Sequence, residues 1–544
     1  MPMNQQKYSF WKVYTLVCLV SVPVLVGLYS IKLGQDINWD LLNYHLYNPY
    51  SYLHGRIHLD LAPAGLQTYF NPLLDLAYYS LISVLSPKLV GFLIGLAQGL
   101  SFIFIYKIAE QILGKGRDAN AIFLAMAGLL CVGFLSEVGT TFHDSLVGTL
   151  TLASLWLAMS AIKSNNSDKL RSVVLIGISG MLIGIACGLK LVVAIYALAL
   201  LLGLLLVPIP WNARFNIALL FAVCALVGLI LTGGYWFYKM WSEFGNPLFP
   251  QFNNIFHGAL ASFEPIRDIR FLPKNLYEKL FYPAIFTVDA LRVGELYYRQ
   301  VSWIFGYVAL IALGSVGLFR SNKVEPDRKL SPQVVLLVSY FGISYFLWLN
   351  LFGIYRYLIP IEVLIPLLLF IAIDHFSKLH VPRWGGVVFL SLITVANLKG
   401  VPDFGRSNWS DKLFRVESSL LTTSPDPAAV YLVGQPLAWI IPALEINSPF
   451  IQLVPNMPVT DAYWKKAKNV VNGRSGKKFV IFESLSPDLA SRASVSFERL
   501  GLAIDESTSR LLVCYLGTAR YEYRFYELIN RKPKPEGQIL EEMK

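Results

Sequence analysis

Long apolar runs recur from residue 13 to residue 398, separated by short polar breaks. A run of about 20 residues crosses a hydrocarbon layer of roughly 30 Å as a helix. The pattern predicts about eleven membrane spans, near 13–31, 88–112, 119–135, 145–162, 172–188, 191–208, 215–234, 301–319, 331–350, 356–373 and 385–398. Between the first two spans, Tyr44, Tyr47, Tyr50 and Tyr52 recur with Leu42, Leu46 and Leu53 at close to helical spacing, from Trp39 to Ile57. That spacing suits a helix lying in the membrane interface. Asn71-Pro72 opens a second short helix, with Pro72 at a helix-start position. Both are read as juxtamembrane helices, because 73–86 is short for a full crossing. Counting it as a span would also invert every later loop.

The distribution of Lys and Arg supports this count. With the N-terminus inside, the cytoplasmic loops hold Lys7, Lys12, Lys115, Arg117, Lys163, Lys169, Arg171, Arg214, Arg320, Lys323, Arg328, Lys329, Lys378 and Arg383. The opposite short loops hold Lys32, Arg56, Lys88, Lys190 and Arg356, a roughly threefold imbalance in the expected direction. An odd number of spans then places the C-terminus outside, and a bacterial inner (cytoplasmic) membrane is the expected location. The first segment reads as a retained helix, since its apolar run is too long for a secretion signal and lacks a small-residue cleavage site.

Composition agrees: hydrophobic residues are 55% of 544 and charged residues 15%, with a mean hydropathy of +0.52. The net charge of +11 is mostly accounted for by the cytoplasmic loops. No basic cluster interleaved with aromatics suggests a nucleic-acid surface. Cys18, Cys131, Cys187 and Cys224 fall in predicted spans and Cys514 is alone in the tail, so neither a disulfide framework nor a CxxC metal site is expected.

Polar chain accumulates on the outer side: a first loop near 32–87, a short loop near 136–144, a long loop near 235–300, and a tail from about 400. No internal repeat of the kind common in transporters is evident. The chain therefore divides into a polytopic α-helical membrane domain, 1–400, and an extracytoplasmic domain, 401–544. In the tail, 429–433, 450–454, 478–482 and 511–515 read as short buried strands, and 458–471 and 487–500 as helices, which predicts a small α/β fold. It carries no Gly-rich phosphate loop.

Ionisable groups at or within spans are costly, on the order of 2–3 kcal/mol each by insertion scales, so each needs a reason. Near the outer face stand Asp36 and Asp40 after span one, Glu137, His143 and Asp144 between spans three and four, Lys190 between two apolar halves, and Tyr355-Arg356-Tyr357 opening the tenth span. Asp36 reads first as a solvated loop carboxylate and second as a substrate contact. Asp40 sits on the apolar interfacial helix. Asp144 could complement a helix dipole, and Lys190 could snorkel to the interface. Arg356 lies where topology disfavours a cation. Tyr44, His45 and Asn71 border the acidic loop and, with His143 and Tyr355, are expected substrate contacts. Gly245-Asn246-Pro247 is first of all a turn, although its outer location allows Asn246 a sugar contact.

Carboxylates and cations together at the outer edge of a bilayer fit a lipid-linked substrate. Its tail stays in the membrane, its phosphate meets Lys or Arg, and its head group meets an acceptor outside. For sugar transfer from polyprenyl phosphate, a carboxylate takes the acceptor's proton and the cations stabilise the leaving phosphate. A polysaccharide polymerase or ligase would share this donor. A secondary transporter would instead place its polar residues near mid-membrane.

The order of pieces resembles the GT-C membrane glycosyltransferases, which include protein O-mannosyltransferases and lipid A aminoarabinose transferases. The residues concerned are Asp40-Leu-Leu-Asn43-Tyr44 ending at Leu53-His54-Gly55-Arg56, then Asn71-Pro72-Leu73-Leu74, His143-Asp144, Gly184 to Lys190, Gly245 to Pro250, and Arg356-Tyr357-Leu358-Ile-Pro360. The resemblance implies a GT-C-like fold and a glycosyltransferase activity, with Asp40 as base, Asp144 assisting it or holding a metal, and Lys190 and Arg356 facing phosphate. Its implied partners are a polyprenyl-phosphate-linked sugar donor, a glycan, lipid or protein acceptor, and membrane lipids. No cofactor is certain, and a divalent ion, magnesium or manganese, is allowed. Many relatives have Asp-Glu at the first acid, whereas Leu41 follows Asp40 here.

Overall fold

The computed structural model describes residues 3–114, 116–164, 168–318, 329–376, 383–417, 426–444 and 446–530. Among these, six helices are long and apolar enough to cross a membrane: Trp11–Leu33, Pro87–Leu113, Asp144–Lys163, Lys169–Leu189, Trp211–Phe244 and Pro332–Leu351. A further pair, Tyr355–Glu362 and Ile365–Phe376, is bent by 47° at a short break. Asp118–Leu129, Leu191–Leu206, Ser302–Val316 and Gly385–Leu398 are shorter apolar helices. Of the eleven expected spans, six thus coincide with helices of crossing length, one with the bent pair and four with shorter apolar helices, and the protein is an integral membrane protein. Leu73–Val84 forms the short helix expected after Asn71-Pro72. Of the cations assigned to the cytoplasmic side, Lys115, Arg320, Lys323, Arg328 and Lys378 lie outside the described residues.

Residue contacts divide the chain into two compact units. The first comprises Met1–Leu33, Gly91–Gly234 and Asp268–Phe404, and the second Gly34–Val90, Tyr235–Arg267 and Gly405–Lys544. The helical unit is assembled by close backbone approach. Helices Lys169–Leu189 and Trp211–Leu229 meet at small residues; a Cβ on Gly184 would lie 2.0 Å from the Ala225 carbonyl oxygen. In an apolar solvent, where exclusion of water contributes nothing between helices, such approach maximises dispersion. The Thr232 hydroxyl donates across the seam to the Ile185 carbonyl at 2.9 Å. The packing fixes the end of helix Lys169–Leu189, and Lys190 follows it in extended backbone.

The second unit is built on a six-stranded mixed sheet in the order Phe414–Glu417, Leu502–Leu516, Ala519–Asn530, Lys478–Phe482, Ala429–Val433, Phe450–Gln452. The last three strands are parallel and the others antiparallel. Helices Asp461–Val471 and Pro487–Leu500 match the two helical patterns of the tail. Phe414–Glu417 and Ala519–Asn530 were not foreseen. The latter has a legible signal, since Arg-Tyr-Glu-Tyr-Arg-Phe alternates with period two after a Gly517-Thr518 turn.

The first outer loop belongs to this same unit. Its expected single helix from Trp39 to Ile57 is a succession of shorter pieces: a π-helical turn at Leu41–His45, an α-helix at Tyr47–Leu53 and a 3-10 turn at Arg56–His58. Leu41 to Tyr50 are buried, so this stretch packs inside the unit where an interfacial helix was expected. Leu61 adds a further parallel rung beside Ile451, with its N–H donating to the Phe450 carbonyl at 2.8 Å and its carbonyl accepting from Gln452 N–H at 3.0 Å. It thereby covers the open edge of the sheet.

A buried ion pair secures that junction. Arg56 donates to both oxygens of Asp60, at 2.7 and 2.8 Å, and to the Ser448 carbonyl at 2.6 Å. Asp60 also accepts from the Phe450 N–H at 2.9 Å and from the Tyr47 hydroxyl at 2.9 Å. Desolvating two charges is repaid only when geometry and hydrogen bonds are this complete, and removing one partner strands the other. Asp60→Asn should therefore destabilise the second unit by about 3–5 kcal/mol, while an Arg56→Met, Asp60→Leu double replacement should recover much of the loss. Thermal unfolding of the purified full chain checks both; a single replacement without effect would show that the pair contributes little.

Candidate functional site

Phe142, His143 and Asp144 form a sharp entry into helix Asp144–Ser164. His143 adopts the left-handed conformation, φ +67, uncommon for a side chain other than glycine. Its carbonyl accepts from Val147 N–H at 3.0 Å, so the helix begins at Asp144, with the carboxylate beside the positive end of the helix dipole.

Two cations converge on that carboxylate. Lys190 Nζ forms a short ion pair with Asp144 Oδ1, and Arg356 Nε lies 3.7 Å from Oδ2. Both also hold the residue before the turn: Lys190 Nζ donates to the Phe142 carbonyl at 2.8 Å, and the Arg356 guanidinium stands 4.4 Å from the centroid of the Phe142 ring. Asp144 is 3% exposed, but Lys190 and Arg356 are 21% and 17% exposed. A buried anion is thus faced by two cations that keep part of their surface open.

Glu137, absent from the site residues expected from sequence, underlies this arrangement. It is fully buried and accepts from the Ser145 N–H at 2.9 Å and the Ser145 hydroxyl at 2.7 Å. Its carbonyl accepts from Gln98 at 2.9 Å, and Gln98 accepts in turn from Gly139 N–H at 2.7 Å. Burial, with the charge of Asp144 adding to it, pushes the Glu137 carboxyl well above the usual carboxylate range. In the folded protein it therefore holds its proton to higher pH than a free carboxyl does.

The tenth-span residues divide their roles. Tyr355 is buried, stacked on Tyr298 at 4.6 Å, and donates to Glu362 at 2.7 Å. Arg356, its neighbour, reaches Asp144. Glu362 was not foreseen, although a carboxylate inside the apolar run after Pro360 is a legible signal.

Asp40 and its neighbours lie in the second unit. Asp36 is no solvated loop carboxylate: the strand Gln35–Asp36 pairs with Arg406–Ser407, and Asp36 is buried. It accepts from the Asn38 amide at 2.7 Å, and Asn38 accepts from Leu41 N–H at 2.9 Å. Asp36 therefore orients the residue that starts the following turn. Asp40 is buried at the head of that turn, and the Tyr44 hydroxyl donates to it at 3.4 Å. His45 Nδ1 lies 2.6 Å from Asp75, under the Tyr44 ring at 4.0 Å. Asn71 accepts from Leu73 N–H at 3.1 Å. Asn246 is fully buried; its amide donates to Gln251 and Asn253, at 2.9 and 3.2 Å, and accepts from Leu248 N–H at 2.9 Å, partners supplied by its own loop.

A metal does not fit Asp144, because both oxygens already face cations that an ion would have to displace. His45 Nδ1 and the Asp75 carboxylate are of the donor types that bind a divalent ion.

No family profile matches the chain, and no curated protein matches it by sequence. Solved structures similar to it include ArnT from Cupriavidus metallidurans in the apo state, 15% identical, covering 94% of this chain and 97% of that one with a TM-score of 0.43. ArnT bound to undecaprenyl phosphate is 16% identical over 96% and 99%, with a TM-score of 0.44. The Archaeoglobus fulgidus oligosaccharyltransferase in complex with zinc and sulfate is 14% identical over 88% and 68%, at 0.48. The arabinofuranosyltransferase AftD from Mycobacteria is 14% identical over 95% of this chain and 41% of its own, at 0.47.

The retained proton of Glu137 has a measurable consequence. With the folded pKa raised, the folded protein holds a proton that the unfolded chain releases near the ordinary value of about 4.5, so stability falls as pH rises above that value through the raised one. Glu137→Gln should remove this decline. Across pH 5–8 the melting temperature of the parent should fall more steeply than that of the variant; parallel curves would show that Glu137 contributes no such dependence.

Proposed function

We propose that this protein is a membrane glycosyltransferase that moves a sugar from a polyprenyl-phosphate-linked donor to an acceptor hydroxyl at the outer face of the membrane. The observation that carries the reading is the pair of part-open cations, Lys190 and Arg356, held by one buried carboxylate. Their remaining surface offers an ammonium point charge and a planar guanidinium, the combination that suits phosphate oxygens. Asp144 is then a positioning residue: it fixes both cations before the lipid arrives, so little reorganisation is needed as charge develops on the leaving phosphate.

In the proposed reaction the acceptor oxygen attacks the anomeric carbon, the bond from that carbon to the phosphate oxygen breaks, and the phosphate leaves with the electron pair. The acceptor proton passes to a carboxylate, which we assign to Asp40. Its buried setting beside the Tyr44 hydroxyl favours a proton-accepting role over a solvated one. Asp36 and Asn71 are assigned to shaping the loop, and Tyr44, His45 and His143 to the head-group side. The acceptor is a glycan, a lipid or a protein. We place the N-terminus in the cytoplasm and the sheet-bearing unit outside, in a bacterial inner membrane, on the Lys/Arg distribution.

The test uses the purified full chain with a panel of radiolabelled polyprenyl-phosphate sugars and envelope acceptors. Asp40→Asn should lower kcat by about 10²–10⁴-fold, the usual contribution of a positioned base. Arg356→Ala and Lys190→Ala should chiefly raise KM for the donor. Transfer by Asp40→Asn at the parent rate, or by neither protein with any donor, would overturn the reading.

A further inference from the structure

Two of the three segments that build the cation site, the one leading through helix Val132–Glu137 to Asp144 and the turn bearing Arg356, meet at a fully buried carboxyl group, Glu362. It receives the Gly133 N–H on both oxygens, at 3.0 and 3.2 Å, and the Tyr355 hydroxyl at 2.7 Å. Its own carbonyl accepts from the Cys131 thiol at 3.6 Å. The contact leaves no room for adjustment: a Cβ on Gly133 would lie 2.3 Å from a Glu362 oxygen. Only glycine allows this approach.

The connections run outward from there. Gly133 is in the first turn of the short helix Val132–Glu137, and Glu137 at its end binds both the N–H and hydroxyl of Ser145, next to Asp144. Tyr355 is the residue before Arg356. Glu362 terminates helix Ile359–Glu362, just before the 47° bend. One carboxyl group thus ties the segment that places the anion to the segment that places Arg356, by hydrogen bonds from the Gly133 N–H and the Tyr355 hydroxyl.

We infer that Glu362 is a positioning residue for the phosphate site, a bracket that sets the spacing of Arg356 and Asp144 while touching no substrate. In its link to phosphate the inference rests on the proposed function; in its link to the loop it does not. Such a bracket transmits its effect through packed contacts, which commonly alters binding at a distance.

Two readouts on the full chain in detergent separate these links. In the lipid-free protein, Glu362→Gln should raise hydrogen–deuterium exchange of the peptide covering 132–144 by roughly tenfold, with distant helices unchanged, as expected when a local anchor is lost. Unchanged exchange there overturns the bracket whether or not lipid binds. In the second readout undecaprenyl phosphate is titrated against each protein. Glu362→Gln should weaken its binding by roughly 3–30-fold while the melting temperature stays near that of the parent. Tyr355→Phe, which keeps the Gly133 contacts, should give a smaller loss in both assays and guards against a variant that fails to fold. Parent-like binding by a Glu362→Gln protein with raised exchange overturns the positioning role. A parent that binds no lipid phosphate overturns the proposed function alone, and the exchange result still decides on the bracket.

Discussion

A carboxylate withdrawn from water at a helix start governs this structure. Asp144 is 3% exposed, and the desolvation of a lone buried charge amounts to several kcal/mol. The compensation comes from cations on two other segments, Lys190 at a break between apolar helices and Arg356 in the turn before Pro360. Each would be costly in its place without the anion. The three residues are therefore mutually conditional, and a loop, a helix break and a helix start are fixed together. Glu137 and Glu362 extend the same logic inward: both are buried, and both have backbone and hydroxyl donors arranged around them.

The second unit solves a similar problem differently. Its sheet ends on the short strand Phe450–Gln452, and an open edge would present unpaired N–H and carbonyl groups. Leu61 pairs with it, while Arg56 and Asp60 satisfy one another and the neighbouring Ser448 and Phe450 backbone groups. The first outer loop is in this way a structural part of the unit that carries the tail. Asp40 thereby sits on a scaffold of buried residues, with Asn38 and Asp36 supporting the turn it heads.

The apolar helices were legible because an apolar run of span length has few other structural solutions. Lys190 and Arg356 were legible as anomalies, cations where topology and hydropathy disfavour them. Glu137 and Glu362 were harder to assign, because their partners are chiefly backbone N–H groups and hydroxyls, which leave no pattern in side-chain sequence. Asp36 was misread for a related reason: its burial depends on a two-residue strand paired with Arg406 and Ser407, some 370 positions away, and no local periodicity reports a pairing so distant. The period-two run from Arg520 was present in the sequence, but its many charges resembled a solvated tail more than an internal strand.

Buried carboxylates are usually weak evidence for stability, since apolar residues of similar volume often serve as well. Here their number near the two cations argues for a requirement that apolar packing could not meet. On the function proposed above, a phosphate site must hold positive charge in place when the ligand is absent, and unrestrained cations would relax toward water or lipid head groups. Asp144 restrains Lys190 and Arg356 by attraction, and Glu362 joins Tyr355, the residue before Arg356, to Gly133. Glu137, whose carboxyl burial and the charge of Asp144 push well above the usual carboxylate range, accepts from the Ser145 N–H and hydroxyl. The division of three acids into one charge partner and two buried acceptors of backbone and hydroxyl donors follows from their environments, and it leaves the cations ordered yet part-open.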